Sequence, residues 1–339
     1  MKELSKVLML SPYLQAQRGN SITIQRLSSG LSQYQWTIEL FSSENAELVK
    51  LERILSGPGI SLLHGFNGSY IGALLESCPT LLKFPLLLTM TGTDLTEPAL
   101  RDPLCLKALE HSQAITIFHP FFRRILNTAV PTCDQKIYCI PQGVALPPHN
   151  PRKSIIPPRT SNEIRMLLPS GLRPAKDIHL VLDAFQAIKP DNPTLSLYIA
   201  GCRIDPAYAS EIENRLDTIV DANYLGELPF AQMPNFYAQG DIVINSSIQE
   251  GQPQAALEAM SLGLPALLRA VPGNLGIMQN GLEGYYFKTA DDLSQFCTIL
   301  IRHPDRRRAM GKAAQTLIRH DFSAPKEIAA YAELYQRWI

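Results

Sequence analysis

Short apolar runs, each followed by a stretch with helical spacing, repeat along almost the whole chain. This rhythm constrains the fold more than any other feature of the sequence. The runs are "VLMLS", "WTIELF", "ISLLH", "PLLLTMT", "AITIF" and "KIYCI" in the first half. In the second half they are "RMLLPSG", "LSLYIAG", "NYLGEL", "DIVINS", "PALLRA" and "GYYF". Strand and helix in strict alternation call for parallel strands joined by crossover helices. The rhythm breaks once, over residues 145–163, where five prolines stand without periodicity, a linker composition. The expected fold is α/β, with two doubly wound, Rossmann-like domains whose parallel sheets face a common cleft. Ligands of open parallel sheets sit beyond the carboxyl ends of the strands, so that cleft is the expected site. The expected boundaries are residues 1–150, a Pro-rich linker at 151–163, and a second domain at 164–320.

A chain of 339 residues, 45% apolar and 18% charged, has enough apolar surface for two such cores. Lys plus Arg and Asp plus Glu number 31 each, a balance that argues against nucleic acid as the main partner. Six cysteines, at 78, 105, 133, 139, 202 and 297, lack C-x-x-C spacing. With no charged-then-apolar leader, they read as thiols in the cytoplasm, with neither disulfide nor metal site. The longest apolar run, "LLKFPLLLTM", is too short and too interrupted to span a bilayer. No G-x-G-x-x-G follows the first strand, which argues against a dinucleotide-dependent oxidoreductase.

The chemistry concentrates in "NSSIQEGQPQAALEAMSLGLPAL", residues 245–267. Glu250 is expected to close the strand "DIVINSSIQ", with its carboxylate where ligands bind. Gly251, Gln252 and Pro253 then turn the chain into a helix opened by Gln254. The first amides of that helix have no partner within it, so they attract phosphate or a sugar hydroxyl. A carboxylate accepts from two neighbouring hydroxyls at once, which suits Glu250 to a hexose. Arg173 and Lys176 occupy the loop after another strand, "LLPSGLRPAKDIHLVLDAF", just before a helix. Two cations there suit an anionic ligand. No D-x-D is present to bridge a diphosphate through a metal, so Arg and Lys are expected to do that work.

The two segments resemble the signature of the retaining glycosyltransferases of family 4, which have the GT-B fold. The likeness rests on E-x7-E followed by an alanine-rich helix and G-x-P, and on strand, G-x-R, short gap and Lys. It covers most of residues 160–290. The resemblance implies that Glu250 binds the donor sugar, Glu258 the ribose, and Arg173 and Lys176 the diphosphate. It also implies a final helix, within 321–339 and ending "YAELYQRWI", that crosses back onto the first domain. In "AVPGNLGIM" the chain keeps the family's Gly273, with Asn274 beside it and Gly276 where a glutamate often stands. That loop is expected to meet the donor through its backbone.

The first half matches more weakly, through its opening strand, the "RGN" loop and "TMTGTDL". The resemblance puts Gly19 in a loop near the donor phosphate, flanked by Arg18 and Asn20. Thr91-Gly92 stands where many members have His-Gly, and a hydroxyl cannot take up charge as an imidazole does. Asp94 reads either as a base or, with Glu97, as a helix capping box. His64, ending "ISLLH", is a candidate for acceptor contact. "HPFFRRIL" resembles a membrane-surface segment of lipid-glycosylating relatives, but the favoured reading has its apolar residues inward and its arginines in water.

"RGN", "TGTD", "GLR-x-x-KD" and "PGN" together are similar to the branch of glycosyltransferase 1 domain-containing proteins. They are similar, less closely, to selenosugar synthases. The expected activity is transfer of a hexose or N-acetylhexosamine from a nucleoside-diphosphate sugar, with UDP as the expected nucleotide. Configuration is retained, the acceptor is unidentified, and no cofactor is expected. The alternatives are transfer of the sugar to selenophosphate and a non-catalytic sugar-nucleotide sensor.

Overall fold

The computed structural model describes residues 5–14, 19–34, 36–44 and 47–338. It contains two six-stranded sheets, parallel throughout. The first holds β1 (Lys6–Ser11), β2 (Thr37–Ser42), β3 (Ile60–Phe66), β4 (Leu86–Thr89), β5 (Ala114–Ile117) and β6 (Ile137–Cys139), in the order β2-β1-β3-β4-β5-β6. The second holds β7 (Ile164–Pro169), β8 (Leu195–Ala200), β9 (Ala222–Tyr224), β10 (Ile242–Asn245), β11 (Ala266–Arg269) and β12 (Gly284–Phe287), in the order β12-β11-β10-β7-β8-β9. The expected α/β architecture with paired parallel sheets is therefore present. Each sheet reverses direction of growth beside its first strand, the point at which doubly wound sheets bind ligands.

Strands buried on both faces read as unbroken apolar runs, and β4, "LLLT", is fully buried. Alternate residues of a strand serve opposite faces. In β1, Leu8 and Leu10 join one core while Val7 and Met9 join the other. In β7, Met166 and Leu168 divide from Leu167 in the same way.

The helices of the first half are α1 (Gly19–Leu31), α2 (Leu48–Ser56), α3 (Gly68–Ser77), α4 (Pro103–His111) and α5 (Phe121–Ala129). On α5, Phe122 and Leu126 are buried while Arg123 and Arg124 are exposed. The second half carries α6 (Ile178–Ile188), α7 (Pro206–Leu216), α8 (Met233–Ala238), α9 (Gln254–Ser261), α10 (Ala290–Arg302) and α11 (Pro304–Asp321). The last helix is α12 (Ala324–Tyr335). No helix among the described residues is long and apolar enough to cross a membrane.

The chain forms two compact units. One runs up to Gly143 and resumes at Ser323, and the other is Val144–Phe322. Residues 145–163 contain no helix or strand, yet they belong to the second unit and are pinned to it. Asn235 Oδ1 accepts from Asn150 N, Gln239 Oε1 accepts from Ile155 N and Ile156 N, and Ile156 is buried in the core. Proline-rich composition here marks extended chain lying on a surface.

In the first unit α12 packs against α1 and the sheet. Arg26 Nε and Nη2 donate to the two Glu327 oxygens at 2.7 and 3.0 Å, a bidentate pair with side chains 7% and 1% exposed. Tyr331 and Tyr335, one helical turn apart, are fully buried in the same core as Val7 and Met9.

Candidate functional site

The site is built on three neighbouring strands of the second sheet, β11, β10 and β7, from the loops at their carboxyl ends. After β7 the chain passes Arg173, makes a tight turn over Pro174–Lys176, and reaches Asp177 in the left-handed conformation (φ 41°) before α6. The loop after β10 is locked to that turn. Ser246 Oγ donates to Lys176 O (2.7 Å), and Ile248 N donates to Ala175 O (3.0 Å). Arg269, ending β11, donates to Asp177 Oδ2 (2.5 Å) and Ser246 O (3.1 Å).

Within this frame Lys176 Nζ donates to Glu250 Oε1 at 2.6 Å and to Ser247 Oγ at 3.0 Å. Asn245 Nδ2 donates to the same Glu250 oxygen at 3.0 Å. The Lys176 and Glu250 side chains are 18% and 12% exposed. Burial alone would raise the Glu250 carboxyl. The Lys176 charge, with hydrogen bonds from Lys176, Ser247 and Asn245, outweighs it and holds the group below its ordinary value of 4.5. Arg173 lies in the same turn, and its Nε is buried without a partner.

The loop after β11 closes the site. Asn274, fully buried, donates through Nδ2 to Arg269 O (2.9 Å) and Asn245 Oδ1 (3.1 Å). Gly273 lies against the Glu250 backbone. Lys176, Glu250, Gly273 and Asn274 therefore meet, with Arg173 beside them. Asn245, Ser246, Ser247, Asp177 and Arg269 are additional members that the sequence reading left out. Their only local signal is a polar run directly past the end of a buried strand.

Several expected placements are corrected. Glu250 does not close β10, which ends at Asn245. The residues between make a loop because their backbone and side chains serve the Lys176 turn. Gln252, Pro253 and Gln254 lead into α9, whose N-cap Pro253 offers no side-chain hydrogen bond. Gly251, Gln252 and Pro253 are buried, with Gln254 half-buried. Glu258 lies inside α9, only 5% exposed, and accepts from Tyr237 OH at 2.8 Å. Burial, and then the Glu258 charge, push the Tyr237 phenol well above its ordinary value.

In the first unit His64 is not open to a ligand. It is fully buried, with Nδ1 bonded to Tyr335 OH (2.6 Å) and Nε2 to Thr89 Oγ1 (2.7 Å), and its ring stacks on Phe66. Burial lowers its pKa to about 3, so the ring is neutral. Asp94 is neither a free base nor part of a capping box. Its buried carboxylate accepts from Thr91 N (2.7 Å), Gly92 N (3.0 Å), Gly68 N (2.8 Å) and Thr91 Oγ1 (3.2 Å). Glu97 pairs with Arg101 instead. Asp94 thereby holds Gly92 at φ 105° and ties the loop after β4 to the start of α3. Gly19 begins α1 rather than lying in a loop; the Asn20 side chain and Arg18 lie outside the described residues.

Residues 152–317 match the model of the family described as glycosyl transferases group 1. The glycosyltransferase 1 domain-containing protein 1 of Xenopus tropicalis is 26% identical over 341 residues, covering 97% of each chain. Among solved structures, sucrose-phosphate synthase from Thermosynechococcus elongatus has a TM-score of 0.85 at 17% identity, covering 98% of both chains. Anabaena HepE in complex with UDP-glucose has a TM-score of 0.77 at 15% identity, covering 98% of this chain and 99% of that one. Residues 152–317 thus resemble the glycosyl transferases group 1 family, the likenesses support sugar transfer as the activity, and the structural neighbours show the GT-B fold.

Proposed function

We propose that the protein transfers a hexose or N-acetylhexosamine from a UDP-sugar to an acceptor, with retention of configuration and without a metal. The observation that carries this reading is the contact between Lys176 and Glu250 in joined loops, with the buried, unpartnered Nε of Arg173 in the same turn. A relative from Escherichia coli, 30% identical over 105 residues (30% of this chain), is named a UDP-Gal-dependent galactosyltransferase. The HepE structure contains UDP-glucose, which also favours UDP.

The site contains groups suited to both ends of the donor, bonded to each other. Lys176 has three N–H donors, of which Glu250 and Ser247 take two, leaving one for a phosphate oxygen. An ionised carboxylate has about four acceptor positions. Lys176, Asn245 and Ser247 donate to Glu250, which leaves room for a sugar hydroxyl. Arg173 takes the other face of the diphosphate. As the sugar–phosphate bond breaks, charge grows on the leaving phosphate. Charge-assisted hydrogen bonds of about 1.5–3 kcal/mol each stabilise it there without a metal. Glu258, steadied by Tyr237, is assigned the ribose. In a retaining reaction the leaving phosphate oxygen takes the acceptor proton. The residues near Thr91, Gly92 and Gly19 are assigned to positioning, with the acceptor unidentified. Cytoplasmic residence and the absence of a further cofactor belong to the same proposal.

The test begins with thermal stabilisation by UDP-, GDP- and ADP-sugars, followed by assay of UDP release and of the product anomer by NMR. Glu250→Ala and Lys176→Ala are expected to abolish turnover while keeping the fold. Near-normal turnover in either variant, or an inverted product, would defeat the reading.

A further inference from the structure

The Glu250 carboxylate is gripped by more than its lysine. Behind it run two asparagines from neighbouring segments, Asn245 at the end of β10 and Asn274 in the loop after β11. The hydrogen bonds fix the orientation of both amides. Asn274 faces a backbone carbonyl, Arg269 O, at 2.9 Å, and a carbonyl only accepts, so the Asn274 nitrogen must be on that side. Its second N–H then meets Asn245 Oδ1 at 3.1 Å. With its oxygen engaged there, Asn245 presents its nitrogen to Glu250 Oε1 at 3.0 Å. The donors therefore run one way, from Asn274 through Asn245 to Glu250.

We infer that Asn274 and Asn245 form an amide relay that positions the Glu250 carboxylate and keeps it an acceptor for the donor sugar. The inference deepens the donor-site reading above and rests on it for its functional meaning. Asn274 acts through Asn245 and is a positioning residue.

A second feature of Asn274 supports this role. The side chain is fully buried, and its Oδ1 has no hydrogen-bond partner. A buried orphan oxygen disfavours the folded state, and a leucine of similar shape would carry none. Packing alone thus gives no account of an amide at this position; the two donated bonds do. The neighbouring Gly273 fixes the Glu250 backbone, so one loop sets both the main chain and, through Asn245, the carboxylate. The charged groups nearest the relay are Lys176, which bonds Glu250, Arg173 in the same turn, and the Arg269–Asp177 pair, tied to the same loop through Ser246.

The experiment follows the Glu250 side-chain carboxyl by carbon-13 NMR during pH titration of the whole protein without ligand, with Glu250→Gln to assign the signal. In Asn274→Leu, Asn245 is free to turn its amide. The Glu250 midpoint should rise by roughly half a unit to one unit. In Asn274→Asp the rise should be larger, because the new carboxylate recruits the Asn245 nitrogen and turns its oxygen toward Glu250. The melting temperature of Asn274→Leu should stay level or rise, since the orphan oxygen is gone, while donor turnover falls about tenfold. In an Asn245→Ala background, Asn274→Leu should move neither the midpoint nor turnover further. If Asn274→Leu does not fold, Asn245→Ser removes the same donor and must raise the midpoint in its place. An unchanged midpoint in a folded Asn274→Leu protein, or full additivity with Asn245→Ala, overturns the relay. The titration needs no substrate, so a wild-type protein idle toward every nucleotide sugar would overturn the transfer reading and leave the relay standing.

Discussion

A β-carbon built on Gly273 would stand 2.0 Å from the carbonyl oxygen of Glu250 and 3.1 Å from its Cβ. The two loops are in contact through bare backbone. Gly273→Ala must therefore drive the Glu250 loop away from Lys176. We expect turnover of the donor to fall about a hundredfold, the scale on which about 2.7 kcal/mol of misplaced transition-state contact is felt. Steady-state kinetics check this, and a variant with unaltered kcat/KM would show that the contact does not set the site.

Acid should loosen the second unit through Glu250. Its carboxyl is held below 4.5 when folded, so its contribution to stability is present above that value. The contribution is lost as pH falls through the lower, folded value. Glu250→Gln removes this term, and its melting temperature should decline less than that of the wild type between about pH 5 and pH 3. Parallel curves would refute the assignment.

His64 gives the first unit a pH dependence in a different window. The unfolded ring binds a proton near 6.5, whereas the folded ring stays neutral until about 3. Between those values the unfolded chain holds more protons, so stability is full above 6.5 and falls as pH drops. The slope approaches about 1.4 kcal/mol per pH unit. His64→Gln should flatten that slope. His64→Ala should destabilise by roughly 2–4 kcal/mol, because Tyr335 and Thr89 each lose a partner. Neither should change KM for the donor, which chemical denaturation and kinetics together would establish.

The bidentate pair of Arg26 and Glu327 is buried, so removing one member leaves a charge without a counterpart. Glu327→Ala is expected to cost about 3–5 kcal/mol. The loss should appear as faster proteolysis at α12, with the second unit retaining its own transition in calorimetry. A single, unshifted transition would count against it.

The central strands were legible because they, like "LLLT", are apolar runs bounded by polar turns, and burial on both faces leaves a parallel strand little other composition. The first sheet also shows where such reading stops. His64 looks like a ligand contact in "ISLLH", and nothing nearby reveals that a tyrosine 271 residues later occupies its ring nitrogen. Asp94 with Glu97 has capping-box spacing, yet the distant Gly68 N and the preceding Thr91 and Gly92 amides claim the carboxylate. "SSIQ" reads as more strand because local pattern cannot see the Lys176 turn that bends it away. In the second sheet, the cations and acids stood out as motif. Asn245 and Asn274 did not announce their pairing, which depends on β10 and β11 being neighbours, a fact of topology.

The first unit is discontinuous in sequence, since α12 is synthesised only after the entire second unit. Until then the nascent chain on the ribosome must carry Val7, Met9 and Phe66 covered only in part, by Ile24, Leu27 and Leu31 of α1, without Tyr331 and Tyr335. The second unit can complete its own core meanwhile, so the molecule finishes folding at the end made first. A stop codon just before residue 324 would therefore spoil the amino-terminal unit and spare the carboxyl-terminal one, the reverse of what linear order suggests.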